Sequence, residues 1–396
     1  MSGWTQGLLV TVGAAAIVAA GCGGSDPAPP TTGAATALPA TGFGPPITAA
    51  DVTASLPATR DGRRLWPEGT WGGRIIFSAE QKVPPVPGEP VGQGPNRYDQ
   101  QFLAWDAGAN TFQVLWTNES GRAEGVFNTD GDWALSEVSK YNPLSQWELR
   151  LHNMATGELR TIDAEDPSTR GKTPLALLDS RVVAGRVLWV NAVLKGGQRV
   201  EELRMYTIAS GATTVIDSAP GLLALYPGGV AGDTVTYLRR PPGGVLAVVV
   251  RSLSKGTEHE APPPSGMIWE AISPDARFAV ARQDPALPIG ATTGPRFAVN
   301  LETNQARRFA DGQSYDFGVD FADGYISWQV EANSPAVSGF FSLNSGISRI
   351  LAPSIPVDGQ GARVFDGWFF WRERSPGATA ADNDRANGTL RFMRLP

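Results

Sequence analysis

The amino-acid sequence predicts an all-β fold, a seven-bladed β-propeller, and three observations carry that expectation. Glycine and proline are abundant, at 46 and 32 of 396 residues, while charged residues make up only 18%; this balance suits many short strands joined by tight turns. A tight turn followed by a short strand with alternating apolar residues recurs seven times, about every fifty residues. Each recurrence is followed by a second strand–turn–strand unit, so that a period holds about four short strands. Rings of six or eight blades are the neighbouring alternatives.

In chain order the first units read GGRIIF (72–77), DGDWAL (130–135), AGRVLW (184–189), AGDTVTY (231–237), DARFAV (275–280), DGYISW (323–328) and DGWFFW (366–371). The turn position is Gly73, Gly131, Gly185, Gly232, Gly324 or Gly367 in six of them and Ala276 in the other. A hairpin turn that needs positive φ explains the glycines. The second units carry turn residues Gly108, Gly157, Gly211, Gly256, Asn304 and Gly346, and asparagine at 304 fits because it tolerates the left-handed region. Trp133, Trp189, Trp328 and Trp371 recur in the strand after the first turn, where large rings fill the space between blades. A four-stranded sheet has two apolar faces, and stacking blades into a closed ring buries them. The last period is incomplete: after DGWFFW comes TLRFMRLP (389–396), which supplies a third strand and no fourth. An N-terminal strand from within residues 47–69 is expected to fill that place and close the ring.

The chain start reads differently. Residues 8–20, LLVTVGAAAIVAA, form an apolar run shorter than the roughly 20 residues that span a bilayer and suited to a signal-peptide core. It leads into Ala19-Ala20-Gly21-Cys22, and Cys22 is the sole cysteine, so no disulfide forms within the chain. Small residues before a cysteine resemble the lipobox of bacterial lipoproteins, which implies lipidation at Cys22 after cleavage; residues 1–7 carry no Lys or Arg, a departure from that pattern. Residues 23–49 are rich in Pro, Thr, Ala and Gly without apolar periodicity, a tether. The expected organisation is a signal peptide over 1–21, a tether over 22–49 and the propeller over 50–396. The expected address is extracytoplasmic, lipid-anchored to the cell envelope on the periplasmic side. Gly23 and Gly24 follow the cysteine where an inner-membrane retention signal would place aspartate, which favours the outer membrane.

The stretch SPDARFAVAR (273–282) gives the repeat a relative. Ser273-Pro274-Asp275, a small residue and an alternating strand resemble the PD40 (WD40-like) repeat of TolB-like propellers, Ser-Pro-Asp-Gly followed by two variable residues and a strand. Ala276 stands where the pattern has glycine, and the other copies lose Ser-Pro. The resemblance implies a periplasmic binding protein or scaffold; some such propellers adjoin a hydrolase domain and others are lyases that hold a metal with several histidines.

Composition removes several function classes. The net charge is −6 without a Lys/Arg cluster, so there is no case for nucleic acid. His152 and His259 are the only histidines, and neither HExxH nor Cys/His spacing exists, so no metal and no cofactor are expected. No Gly-x-Ser-x-Gly elbow is present. DNDRANG (382–388) is an imperfect calcium loop, with Met393 where an EF-hand has glutamate; Asp316, Asp320 and Asp323 read as turn chemistry. No catalytic residue is nominated, and an enzyme is not the expected class.

In a four-stranded meander the first and third turns share one face of the disc, and here they are short. The second turns are long at 79–101, 283–295 and 373–388, and long loops on a rigid scaffold are where binding concentrates. That face, with Arg97, Tyr98, Asp99, Arg282, Asp284, Arg372, Glu373 and Arg374, is the expected contact surface. The expected function is a membrane-tethered binding or scaffold module of the cell envelope, its partner a protein, peptide or envelope glycan. A polysaccharide hydrolase using loop carboxylates in the propeller pocket and a structural envelope lipoprotein are the alternatives.

Overall fold

A computed structural model describes residues 43–82, 98–118, 122–140, 147–165, 180–221, 224–283, 295–310, 320–322, 324–330, 337–357, 362–375 and 388–396. These form seven antiparallel sheets, six of them meanders in sequence order and the seventh completed by an N-terminal strand, with a short extra strand, Thr59–Arg60, ahead of the first. The architecture is the seven-bladed β-propeller expected from the repeat. The innermost strands of blades one to seven are Arg63–Trp71, Arg122–Asp130, Arg181–Val183, Leu225–Ala231, Met267–Ile272, Asp320–Ala322 and Arg363–Phe365.

Ring closure follows the expectation. Ala54–Pro57 pairs antiparallel with Gly388–Arg394, from Ala54 opposite Phe392 to Pro57 opposite Thr389, and becomes the outermost strand of blade seven. The body begins earlier than residue 50. Phe43 and Ile47 bridge in parallel to Ser348 and Leu351 on the outer edge of blade six, and Ile47 is fully buried. The cause is local: Ile47 is an apolar side chain at the end of the Pro-rich stretch, and Arg349 ties the segment down by an ion pair to Asp51 at 2.7 Å.

The described apolar core divides into seven clusters, one at each blade junction. Trp189 and Trp371 are fully buried there and Trp328 nearly so, filling the space as expected. The junction of blades seven and one is the richest, with Leu56, Phe77, Trp105, Phe370 and Phe392 among its members. The junction of blades one and two has a small apolar core, Ile76, Ala104, Ala134 and Met154, and a buried polar network in its place. Glu124 accepts from Ser136 Oγ at 2.7 Å and contacts His152 Nε2 at 2.8 Å, and His152 stacks on Trp116. His152 is therefore interior, 7% exposed, whereas His259 is exposed.

Turn chemistry matches the sequence with two refinements. Ala276 and Asn304 adopt positive φ, 59° and 55°, in the places where other copies have glycine. In the second half of blade one the left-handed residue is Asn110, φ 51°, rather than Gly108.

Candidate functional site

The site is built by irregularities in the innermost strands. In blades one, two, four and five the pairing of the first two strands slips by one residue, between Pro67 and Gly69, Val126 and Asn128, Pro227 and Gly229, and Trp269 and Ala271. The residues released are Glu68, Phe127, Gly228 and Glu270, each four positions before the first residue of the turn. A bulge of this kind re-aims a side chain out of the ladder.

A cavity of ≈ 770 Å³ lies between the turn-proximal ends of the innermost strands, and every blade contributes to its wall. Five carboxyl side chains line it (Glu68, Asp130, Asp275, Asp320 and Asp366), with two guanidiniums, Arg277 and Arg363. Arg363 donates from Nε and Nη2 to the two oxygens of Asp320 at 3.0 and 3.2 Å. Burial works against the Arg363 charge and Asp320 outweighs it, so the guanidinium stays charged. Asp366 accepts from Thr70 Oγ1 at 3.0 Å and Asp130 from the Gly185 N–H at 3.3 Å; both bonds cross a blade junction. Asp275 accepts from Ser273 Oγ and the Arg277 N–H, the turn role expected of it.

Glu68 is the exception among these acids. It is 8% exposed, and Ser78 Oγ donates to its Oε1 at 2.7 Å. Burial pushes its carboxyl up to about 8; the Ser78 hydrogen bond and the Arg363 charge pull it down only in part, and Glu80 raises it slightly. At neutral pH Glu68 therefore holds a proton in the cavity wall.

The opposite wall is shut by backbone. Gly228 offers no side chain, and a Cβ at Gly229 would lie 2.3 Å from the carbonyl oxygens of Ser273 and Pro274. Arg181 Nη1 donates to the Ile272 carbonyl at 2.6 Å, reaching from blade three to blade five. Glu270, at the same bulge as Glu68, is clamped by Arg282 Nε at 3.0 Å and Arg296 Nε at 2.7 Å.

This cavity opens on the face of the short glycine turns, beside Ser273 and Asp275, not on the face of the long loops. Arg97 and Asp284 lie outside the described residues, as do Asp316, Asp323 and most of the 382–388 loop; so does Cys22. Tyr98 begins the strand Tyr98–Asp106. Asp99 pairs with Arg63 at 2.6 Å. Arg282 and Arg372 are each 1% exposed, which corrects their reading as surface contacts: both fall inside strands, Phe278–Gln283 and Trp368–Arg374, that are buried on both faces up to these positions. Glu373 binds the Trp371 indole and Arg391, and Arg374 is half-buried. The described members stand on blades one, five and seven and form no common cluster. Sequence reasoning missed Glu68, Arg363, Asp130 and Asp366. Two of these, Asp130 and Asp366, directly precede a turn glycine, and that repeated placement was a usable signal. Among the described residues no group of three or more His, Cys, Asp or Glu is placed to hold a metal ion.

No protein-family profile matches the chain, and no curated protein sequence matches it. Solved structures do. The chain is similar to Pyrococcus horikoshii acylaminoacyl peptidase in its uncomplexed form, with 9% identity and a TM-score of 0.57, covering 84% of this chain and 52% of that one. It is similar to the β-propeller domain of the Trilobed protease from Pyrococcus furiosus, described as an open velcro topology, with 10% identity, a TM-score of 0.55 and coverage of 85% and 96%. TolB from Acinetobacter baumannii matches with 12% identity, a TM-score of 0.40 and coverage of 81% and 80%. The chain spans about half the length of the Pyrococcus horikoshii peptidase. At such identities the likeness is one of fold, and the present ring, closed by Ala54–Pro57, differs from an open one.

Proposed function

We propose that this chain is a membrane-tethered, extracytoplasmic binding propeller, and that its ligand enters the central cavity from the short-turn face. The observation that supports this reading is the cavity itself: seven blades converge on one concave, charge-lined space of ≈ 770 Å³, within the size range of ligand pockets. The long loops were the sequence-level candidate; the cavity replaces them because its polar groups are held on strand ends, by hydrogen bonds across junctions. The tether and a lipid at Cys22 would keep this body at the cell envelope, on the periplasmic side, where its partner is a protein, peptide or glycan.

Two measurements test the proposal. A photo-crosslinking residue at Phe278, on the cavity wall, is expected to capture an envelope component that the same residue at Val245, exposed on blade four, does not capture. Equal capture from both positions refutes the cavity. Cys22→Ser is expected to release the chain from the membrane fraction; unchanged fractionation refutes the anchor.

A further inference from the structure

We infer that the rim of the short-turn face at blades five to seven rests on an anionic lipid surface, so that the mouth of the cavity is held toward the bilayer. This deepens the reading above and rests on its membrane anchor. The first support is the direction of the chain where it joins the body. Phe43 and Ile47 bridge in parallel to Ser348 and Leu351, and the Gly44 N–H donates to the Ser348 carbonyl at 2.8 Å. The strand Ser348–Ile350 leaves the turn at Ser345 and Gly346 and runs away from the short-turn face. That turn lies beside the first turn of its blade, where the Leu343 N–H donates to the Gly324 carbonyl at 2.8 Å. A segment parallel to this strand starts at the short-turn face, and Phe43 is its first described residue. An anchor at Cys22, upstream of Phe43, therefore pulls from the face on which the cavity opens. Gly324 and Asn344, from the same two turns, line that cavity.

The second support is what this rim exposes. Phe43 is 60% and Ile347 43% exposed, and the parallel segment brings them together: a Cβ at Gly44 would stand 3.0 Å from Ile347 Cγ2. Two guanidiniums flank them. Arg307, on the outermost strand of blade five, reaches across to blade six, its Nη1 2.8 Å from where a Cβ at Gly346 would stand. Arg394 ends the strand Gly388–Arg394 of blade seven, is exposed, and lies 3.8 Å over the Trp368 ring beside the Gly367 turn. Neither pairs with a carboxylate among the described residues. Of the acids nearby, Asp51 is held by Arg349 at 2.7 Å and Asp320 by Arg363 at 3.0 Å; Glu302, on the third turn of blade five, is exposed. An aromatic and an aliphatic side chain flanked by arginines suit an anionic headgroup layer. Such a contact is weak alone, and an anchor on the same chain makes it effective by raising the local concentration of lipid.

The test uses the full chain, purified from membranes and reconstituted into phosphatidylcholine vesicles with or without phosphatidylglycerol. A photoreactive diazirine residue replaces Phe43 or Ile347. In the controls it replaces Leu159 or Val114, which are 50% and 56% exposed on the outermost strands of blades two and one. All four positions are exposed, so the core is untouched. Lipid adducts are read by mass spectrometry after illumination. The expected result is phospholipid adducts from the Phe43 and Ile347 positions and few from the other two. Omitting phosphatidylglycerol, or combining Arg307→Gln with Arg394→Gln, is expected to lower the yield roughly fivefold or more. Equal yields from all four positions overturn the lipid contact and leave the anchor standing. So does a lack of adducts from Phe43 and Ile347 while the chain still floats with the vesicles. A yield indifferent to both arginines and to phosphatidylglycerol overturns the anionic surface. A chain that does not float with the vesicles refutes the anchor and this inference together.

Discussion

The two walls of the central cavity use one backbone device to opposite ends. On blades four and five, the bulge carries Gly228 and Glu270; the glycine leaves room for the Thr236 carbonyl of its own blade and the Ile272 side chain of the next, and the glutamate is neutralised by Arg282 and Arg296. On blade one the bulge carries Glu68, which has a serine for a donor and faces the cavity. The glycines beside the bulges differ in the same way. A Cβ at Gly229 would meet backbone of Ser273, Pro274 and Ala276, whereas the three atoms nearest one at Gly69 all belong to the Thr129 side chain. The lesson is that pseudo-symmetry in a propeller fixes where a side chain is presented, and the neighbouring blade decides whether it is spent on structure or left for a ligand.

The largest expected effect breaks the closed wall. Gly229→Ala forces a methyl group into three backbone atoms that cannot move singly, and a loss of roughly 3 kcal/mol or more is expected. Gly69→Ala, with a rotatable threonine opposite, is expected to lose about 1–2 kcal/mol; equal losses in urea denaturation would remove the distinction between the walls. Next is Glu270→Ala, which strips two buried guanidiniums of their shared carboxylate and is expected to lose about 3 kcal/mol, measured the same way.

Glu68→Gln is expected to act with the opposite sign. The folded chain holds a proton on Glu68 up to about pH 8, while an unfolded glutamate loses it near 4.5. Between those values the folded state binds one proton more, so wild-type stability falls as pH rises from about 4.5 to about 8. Gln removes that slope and keeps an acceptor for Ser78, so a gain of up to about 4 kcal/mol is expected at pH 8 and little change at pH 4.5. Glu137 is also pushed to about 8 by burial and contributes a parallel slope, so a flat stability profile between pH 5 and 8 is expected only in the Glu68→Gln, Glu137→Gln double variant. A wild type whose denaturation midpoint does not fall over this range contradicts the neutral Glu68.

Much of this fold was legible in the sequence because its signals are local. Turn glycines, strand alternation and the missing last strand each follow from a few neighbouring residues, and together they gave seven blades and the N-terminal closure. The site was not legible for two reasons. A bulge is a mismatch between two strands, and nothing in PEGTW (67–71) alone announces that Glu68 leaves the ladder. Burial of Arg282 and Arg372 depends on where a strand ends, and the loop boundaries drawn from composition ran one or two residues into these strands. Loop length pointed to one face; the converging strand ends, which only the closed ring brings together, made the cavity on the other.

The smallest expected effect bears on the turn that backs the closed wall. In SPDARFAVAR, Ser273 Oγ accepts from the Phe278 N–H and donates to Asp275, and Asp275 accepts from the Arg277 N–H. These bonds hold Ala276 at φ 59°, a conformation that costs an L-residue about 1–2 kcal/mol. Ala276→Gly removes that strain and adds flexibility to the unfolded chain, which offsets part of it. The net expectation is a gain of about 0.5–1 kcal/mol, read as a higher denaturation midpoint. Because the turn contributes its backbone to the contact with Gly229, the gain is expected in the wild-type background and to be uncoupled from Glu68→Gln on the far wall. Additivity of Ala276→Gly with Glu68→Gln, and a departure from additivity with Gly229→Ala, would show that the two walls are energetically separate. Coupling of Ala276→Gly to Glu68→Gln would instead mean that the ring transmits strain across the cavity, and that the acidic wall is not independent of the packed one.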